Sequence, residues 1–380
     1  MKASESNPNY PSKVREMTNY TIREIKKVCK DIGPRPSGEE NERKAQDYVA
    51  DSMSKVADSV VKEKFELHPK AFMGWVPLDV ILMTISIVLT LLSYFDVLPS
   101  ASTAFSVVSV VLTSLAIIFT FFEFLLYKKF LDPFFPKRET YNVVCTRKAA
   151  GETKRRIVFS GHIDSAYEWY FTHLGGGKLL TTMIALAFGA IAITLAASIV
   201  SFFDVPNGVR VTAIVVLFVC LIPILMCSLF VNWKLCVPGA NDNLTGVFAS
   251  MSVLRYMAAN DIRFENTEVV CVSMACEEAG LRGAKEYVKK HCGEDDVETV
   301  FVGTDTLRDF DDMGVYNKDM TGTVKLDKQA AAMVKHASDI AGYNLPYSSV
   351  FFGSSDAAAI QQGGMKAVAL AALDPPPARY

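Results

Sequence analysis

The stretch VFSGHIDSAYEW, residues 158–169, is a run of β-branched and apolar residues that stops abruptly at Gly161, His162, Ile163 and Asp164. It reads as a buried strand with an imidazole and a carboxylate at its end. Residues two apart in an extended chain point the same way, so His162 and Asp164 emerge together. Such a pair holds a metal, orients a base, or is a satisfied structural contact. Partners elsewhere in the chain decide among these.

Half of the 380 residues are hydrophobic, and the mean hydropathy is +0.22, high for a soluble protein. Four apolar runs account for it: Val80 to Leu98, Ala104 to Tyr127, Leu179 to Phe203 and Val209 to Val231. Each is long enough to cross a hydrocarbon core of about 30 Å as a helix. The short turn-rich links DVLPSAS and DVPNG pair them into two hairpins. The flanks carry Lys70, Lys128, Lys129, Lys137, Arg138, Lys178 and Lys234, whereas the hairpin tips carry only Arg210. The positive-inside rule therefore predicts a multi-pass membrane protein with its large domain in the cytoplasm. The opening MKASESNPNYPSKVREMTNY is polar and lacks the apolar core of a secretory signal. The eight cysteines form no CxxC or close-spaced framework, as reduced buried thiols do not. A net charge of −2 without a basic tract argues against nucleic acid as a partner.

The rest is enough for one large α/β domain divided by the hairpins. The expected boundaries are 1–75 for its N-terminal part, 76–127 for the first hairpin, 128–178 for the strands with the HxD motif, 179–233 for the second hairpin, and 234–380 for its C-terminal part. SVVKEKFEL, YNVVCTRK and RRIVFSGH read as strands, and only KAAGETK separates the second from the third, which predicts an antiparallel series of three neighbours. Further strands, TEVVCVSMA, ETVFVGTDT and MKAVALAAL, alternate with helical segments, so helices should cover both faces of a sheet.

Acidic groups recur where these later elements begin or end. Asp242 lies in the turn of PGANDNLTG before a helix, Glu277 and Glu278 follow a strand in ACEEAGLRGA, and Asp305 ends a strand in GTDT. Singly they read as a helix cap, solvated first-turn carboxylates and a turn residue. Together, at the carboxyl ends of strands in an open sheet, they converge on the usual binding crevice. Carboxylates crowded there need a cation, and a His/Asp/Glu set suits Zn²⁺.

The motifs GPRPSGEEN, SGHIDS, GANDNLTG, CEEAGLRGA, TDT and GSSDAAAIQQGG in this order resemble the di-zinc aminopeptidases of metallopeptidase family twenty-eight, in the zinc exopeptidase clan. The resemblance runs from about residue 12 onward, interrupted only by the hairpins. It implies a mixed-sheet, three-layer α/β zinc-exopeptidase fold, here with four inserted transmembrane helices, acting on peptide substrates beside a lipid bilayer. It makes His162 and Asp305 ligands of one zinc, Asp242 the bridging carboxylate and Glu278 a ligand of the second zinc. Glu277 becomes the general base, and Asp164 orients His162. Two ions about 3.5–4 Å apart would acidify a shared water.

The family's second zinc takes a further histidine beyond the last core strand, about where LAALDPPPARY stops, and His291 and His336 sit on helices that do not replace it. Either the natural chain continues, or the second site is weakened. A single-zinc aminoacyl cyclase or acyltransferase is the rival reading. A non-catalytic binding module is the third, against which the retention of Glu277 and every visible ligand argues. Both hairpins enter at the sheet edge that carries His162, so a helix bundle beside the active-site mouth is expected.

Overall fold

The computed structural model describes residues 10–373. In chain order these form helices α1 (Tyr10–Asp31) and α2 (Glu40–Met53), strand β1 (Ser59–Leu67), apolar helices α3 (Ala71–Tyr94) and α4 (Ser102–Phe119), strands β2 (Arg138–Arg147), β3 (Arg155–His162) and β4 (Tyr167–Trp169), and apolar helices α5 (Tyr170–Val200) and α6 (Asn207–Met226). They continue with β5 (Val231–Cys236), α7 (Thr245–Ala259), β6 (Thr267–Met274), α8 (Arg282–His291), β7 (Glu298–Asp305), β8 (Gly314–Asp319), β9 (Val324–Lys325), α9 (Lys328–Ala341), β10 (Tyr347–Ser349), α10 (Asp356–Gln362) and β11 (Lys366–Ala371). Two units result. One comprises the described residues up to 69, 137–166 and from 236 onward; the other comprises 70–136 and 167–235.

The first unit is built on a nine-stranded mixed sheet in the order β1-β2-β6-β3-β7-β11-β8-β10, with β9 paired to β8. Its centre, β6, β3, β7 and β11, is parallel, and β1, β2 and β8 run antiparallel to their inner neighbours. The central strands are apolar on both faces, as a sheet covered on both sides requires. Register aligns Cys145, Cys271, Phe159, Val302 and Val368 across one face, where α2, α7 and α9 pack. Helix α1 lies against α7 through Tyr20 and Phe248, whose rings meet edge to face at 6.3 Å. On the other face α8 stacks Tyr287 against Phe301, and α10 packs on α8, β7 and β11. The three-layer α/β architecture is the one expected.

One expectation fails. β2 and β3 run in opposite directions but are not neighbours, because β6 lies between them, antiparallel to β2 and parallel to β3. The link between them crosses the start of β6, where the amides of Ala150, Gly151 and Lys154 donate to the carbonyls of Phe264, Glu265 and Asn266. Spanning two strand spacings needs only about 10 Å, well within seven residues. The apolar run of β6 gains more by taking the central place than a tight hairpin gains by excluding it. Strand direction is unaffected. Leu67 pairs with Arg138 and His162 with Met274, so the end of β1, the start of β2 and the end of β3 share one edge. The chain leaves and re-enters this unit there.

In the second unit, four helical stretches, Ala71–Tyr94, Pro99–Leu125, Tyr170–Val200 and Asn207–Leu229, are long and apolar enough to cross a membrane. The first starts nine residues before the expected Val80 and contains Pro77, which removes the bond to Met73 O, a loss that a long apolar helix packed among others tolerates. In α5 the backbone leaves helical geometry at Gly175 and Gly176, so the unbroken helix starts close to the expected Leu179. Inside the bundle a hydroxyl cluster joins three helices: Ser86 Oγ lies 2.6 Å from both Ser109 Oγ and Thr113 Oγ1, and Ser198 Oγ lies 2.7 Å from Ser109 and 2.8 Å from Thr90. Small residues let the helices close up, and each hydroxyl finds a partner that hydrocarbon could not supply. Ser109→Val should therefore lower stability by about 1–2 kcal/mol in detergent unfolding. Ser114→Val, which loses only a bond to Val110 O of its own helix, should change it by less than half as much.

Candidate metal centre

The carboxyl ends of β3, β6 and β7 and the turn before α7 deliver five side chains to a single crevice, two of them from the loop after β6. His162 ends β3, Asp305 ends β7, Glu277 and Glu278 follow β6 by three and four residues, and Asp242 lies in the turn Ala240–Leu244. His162 is buried, and its Nε2 lies 3.0 Å from Asp242 Oδ1, 3.8 Å from Glu277 Oε2 and 4.0 Å from Asp305 Oδ2. Its Nδ1 lies 3.3 Å from Asp164 Oδ1, close but out of hydrogen-bond alignment. Two sets each bring their ligand atoms within 4.8 Å of one another: His162, Asp242 and Asp305, and His162, Glu277 and Glu278. All six residues singled out from the sequence are thus brought together. Among the described residues His162 is the one imidazole in the cluster; His291 bonds Glu63 and Glu294 instead.

Asp164 does more than face the imidazole. It is fully buried and accepts from Ser37 Oγ at 2.6 Å and from the backbone amides of Glu277 and Glu278 at 3.1 and 3.0 Å. One carboxylate therefore ties the β3 end to the loop that carries both glutamates. Asn243 does the same for the neighbouring turn: its Oδ1 accepts from Gly246 N and Thr306 N, and its Nδ2 donates to Thr304 O at 2.9 Å. Close backbone approach completes the arrangement. A Cβ on Gly161 would lie 2.3 Å from Val247 N, and one on Gly246 would lie 2.2 Å from Thr304 O, so side chains at either position would drive β3, α7 and β7 apart.

Arg35 of GPRPSGEEN and Glu42 just after it have structural work that the sequence alone does not reveal. Arg35 is buried, and its guanidinium donates to four carbonyls: Ile163 O at 2.6 Å, Gly33 O and Pro238 O at 2.9 Å and Gly239 O at 3.0 Å. It clamps the residue between His162 and Asp164 to the segment leading into Asp242. Glu42 accepts from Gly38 N, Thr140 Oγ1 and Cys276 N at 2.7–2.9 Å, and burial pushes its carboxyl up to about 7. Cys276 immediately precedes the two glutamates, so Glu42 fixes their loop from behind. Asp356 is the third addition. It opens α10 and is buried with its Oδ1 unpartnered, and its charge raises the proton affinity of Glu277 and Asp305.

Burial is the first cause of the strong upward shifts on Glu277 and Glu278, reinforced on each by neighbouring carboxyls. Asp305 is pushed up to about 8 by burial and then by Asp242, and Asp356 to about 7 by burial, with Asp164 and Asp319 adding to it. His162 moves well above its ordinary value: burial opposes its charge, but Glu277, Asp164 and Asp242 outweigh that. Glu278 Oε1 and Asp305 Oδ1 are buried without a hydrogen-bond partner. Paired buried carboxyls with bare oxygens around one imidazole fit a divalent cation of zinc type.

A three-layer α/β sheet with an imidazole and clustered carboxylates on its parallel strand ends defines a scaffold built to hold a divalent cation. Residues 228–380 match the sequence model of Peptidase family M28. The matched stretch contains Asp242, Glu277, Glu278 and Asp305, whereas His162 and Asp164 lie before it. No curated protein sequence matches the chain. Similar solved structures include the LapA aminopeptidase of Legionella pneumophila (TM-score 0.50, 11% identity, 98% of this chain and 63% of that one). Others are BSAP, a zinc aminopeptidase from Bacillus subtilis (0.51, 13%, 95% and 86%), and the glutaminyl cyclase of Porphyromonas gingivalis (0.51, 10%, 94% and 82%). The chain thus spans less than two thirds of LapA, and at these identities the likeness is one of fold.

The Arg35 clamp generates a prediction. Lysine keeps the charge but not the planar fork that reaches four carbonyls. Arg35→Lys should weaken Zn²⁺ binding by about 10–100-fold in equilibrium dialysis although no ligand is touched. Unchanged affinity in a folded variant would reduce Arg35 to a core residue.

Proposed function

We propose that the chain is a zinc-dependent exopeptidase that removes N-terminal residues from peptides at a membrane surface. The observation that carries this is the meeting of His162, Asp242 and Asp305 in one ligand set with the buried Glu277 beside it. His162, Asp242 and Asp305 would hold one zinc, and Glu278 would contribute to a second. Bound zinc supplies Lewis acidity, polarising the scissile carbonyl and acidifying a water.

Glu277 moves the proton. Its raised proton affinity, set by burial and by Glu278, Asp356 and Asp305, suits it to take a proton from water and pass it to the leaving amine nitrogen. Asp164 holds the backbone of both glutamates and keeps His162 in orientation. The side chain of Asp242 is half exposed, whereas those of Glu277 and Asp305 are nearly buried, so the crevice opens on the Asp242 side. The carboxylates not engaged by metal favour a substrate that brings a positive charge, as a free peptide N-terminus does. The basic flanks of the apolar helices favour a cytoplasmic catalytic unit. The shared sheet edge of His162 and both chain exits favours work on membrane-derived or hydrophobic peptides.

The second reading, a single-zinc aminoacyl cyclase, is favoured by the one imidazole in the described cluster and by the fold shared with a glutaminyl cyclase. Metal stoichiometry and products separate the two. The first reading expects free peptides to lose their N-terminal residue in the presence of Zn²⁺ while N-acetylated ones resist. Equal cutting of blocked peptides, or indifference to chelator, would discard it; ring closure of an N-terminal glutamine with one bound zinc would establish the second.

The division of labour between the adjacent glutamates has its own check. Glu277→Gln should lower turnover by about 10²–10⁴-fold with metal content nearly intact, whereas His162→Ala and Asp242→Ala should lose metal. Comparable metal loss in all three variants would make Glu277 a ligand.

A further inference from the structure

The four-helix unit is electrically lopsided. Its two hairpin tips lie together: Tyr94 Oη donates to Ala197 O at 2.9 Å, and Ser106 Oγ lies 2.7 Å from Ser201 Oγ. Helices joined by short turns run antiparallel, so the other ends of all four share the opposite end of the bundle. That end carries Lys70, Lys128, Lys129, Lys178 and Lys234, every one exposed. The acids of the unit do not balance them. Asp79, Glu123 and Asp132 are buried, Glu168 accepts from Asn232, and the exposed Asp96 and Asp204 sit at the tips. Lys70, Lys128, Lys178 and Lys234 meet no carboxylate among the described residues. In the sheet-bearing unit, by contrast, Lys62, Lys137, Lys290, Lys335 and Lys366 each pair with one.

One loop at this end adds apolar surface to the charge. Residues 126–136 follow the π-helical turn Thr120–Leu125 and are firmly held: Glu123 Oε1 accepts from Leu131 N at 2.5 Å, Lys128 N donates to Phe122 O at 2.8 Å, and the Phe130 ring stacks on Phe122 at 5.3 Å. Leu131 is buried, and the short turn Asp132–Phe134 comes straight after it. Phe134 is nevertheless 78% exposed and Phe130 47%. A fixed loop that keeps two phenyl rings in water beside two ammonium groups wastes apolar surface. At the headgroup level of a bilayer the same arrangement is favourable, because the rings enter the acyl boundary while the ammoniums stay among the phosphates. The loop stands at that level, since it directly follows a helical stretch long enough to cross a membrane. Charge then selects among lipids. A choline head brings its own cation to the lysines, whereas a surface of anionic heads favours each nearby lysine by about fivefold.

We propose that the loop 126–136 is a docking site for anionic glycerophospholipids, with Lys128 and Lys129 at the charged head and Phe130 and Phe134 among the upper acyl carbons. The site rests on the reading of the four apolar helices as membrane spans and is independent of the metal centre. The test uses the full chain in phosphatidylcholine vesicles that contain a minor share of phosphatidylserine. A trace of either lipid carries a diazirine in its acyl chain, and cross-links are located by mass spectrometry.

The phosphatidylserine probe should label the loop at least about fivefold more than the phosphatidylcholine probe. The preference should vanish at about 1 M salt, where the screening length falls to about 3 Å. Replacing both lysines, Lys128→Gln with Lys129→Gln, should abolish it while the labelling of α3 stays unchanged. Lys234→Gln, which lies on β5, should keep most of it. Phe134→Ser should cut labelling of the loop by both probes about tenfold, the effect of one phenyl ring withdrawn from the acyl region. Soluble glycerophosphoserine, which has the head without the chains, should not compete. Equal labelling by the two probes, a preference that survives loss of both lysines, or competition by the soluble head would overturn the site. A chain that alkaline carbonate strips from the vesicles would overturn the membrane reading, and the site with it.

Discussion

The Asp164 carboxylate is the interaction on which the metal crevice depends. It is fully buried, and it receives Ser37 from the N-terminal segment and two backbone amides from the loop after β6. A buried carboxylate is tolerable only where its oxygens are met by donors. Asp164 is so well met that its carboxyl is held below the ordinary range although burial pushes it upward. Its permanent charge is therefore cheap to keep. That charge in turn stabilises the imidazolium or the metal-bound form of His162.

Around this fixed point the molecule tolerates a crowding of carboxyls that would otherwise force its elements apart. The acids come from several elements, Glu277 and Glu278 sharing one loop, and each element is restrained from behind. Arg35 ties the β3 end to the segment before Asp242, Glu42 holds Cys276, and Asn243 joins the turn to Thr304. Asp319 secures the start of α10, where Asp356 sits, by accepting from Ser355 N and Oγ. Repulsion at the front of the crevice is thus borne by hydrogen bonds behind it. Such support fixes ligand directions before any cation arrives.

The parts legible in the sequence were those whose signal is local. His162, Asp242, Glu277, Glu278 and Asp305 each follow a recognisable strand or turn, and one general rule about parallel sheets places such positions together. Arg35 lies in the motif GPRPSGEEN and Glu42 directly follows it, but their partners are as far away as Gly239 and Cys276, and no local pattern announces a bond over 204 or 234 residues. Asp356 was hidden by ordinary chemistry: Ser355 caps α10 and an acid in the first turn suits any helix. The place of β6 between β2 and β3 was missed because a seven-residue link suggests a hairpin, whereas burial of a wholly apolar strand decides the order.

The interposed strand also governs how the protein is made. The sheet is sewn from segments separated by both apolar hairpins: β1 pairs with β2 across the first, and β2 and β3 are joined edge to edge only by β6, which is synthesised after the second. From the end of β1 to the start of β6 is a passage of about 200 residues, roughly 10–40 s of translation at 5–20 residues per second. During that interval β2 and β3 expose unpaired edges while both apolar hairpins are made. Synthesis of all four apolar helices therefore precedes closure of the sheet, and the metal crevice, whose walls are the ends of that sheet, is completed only after them.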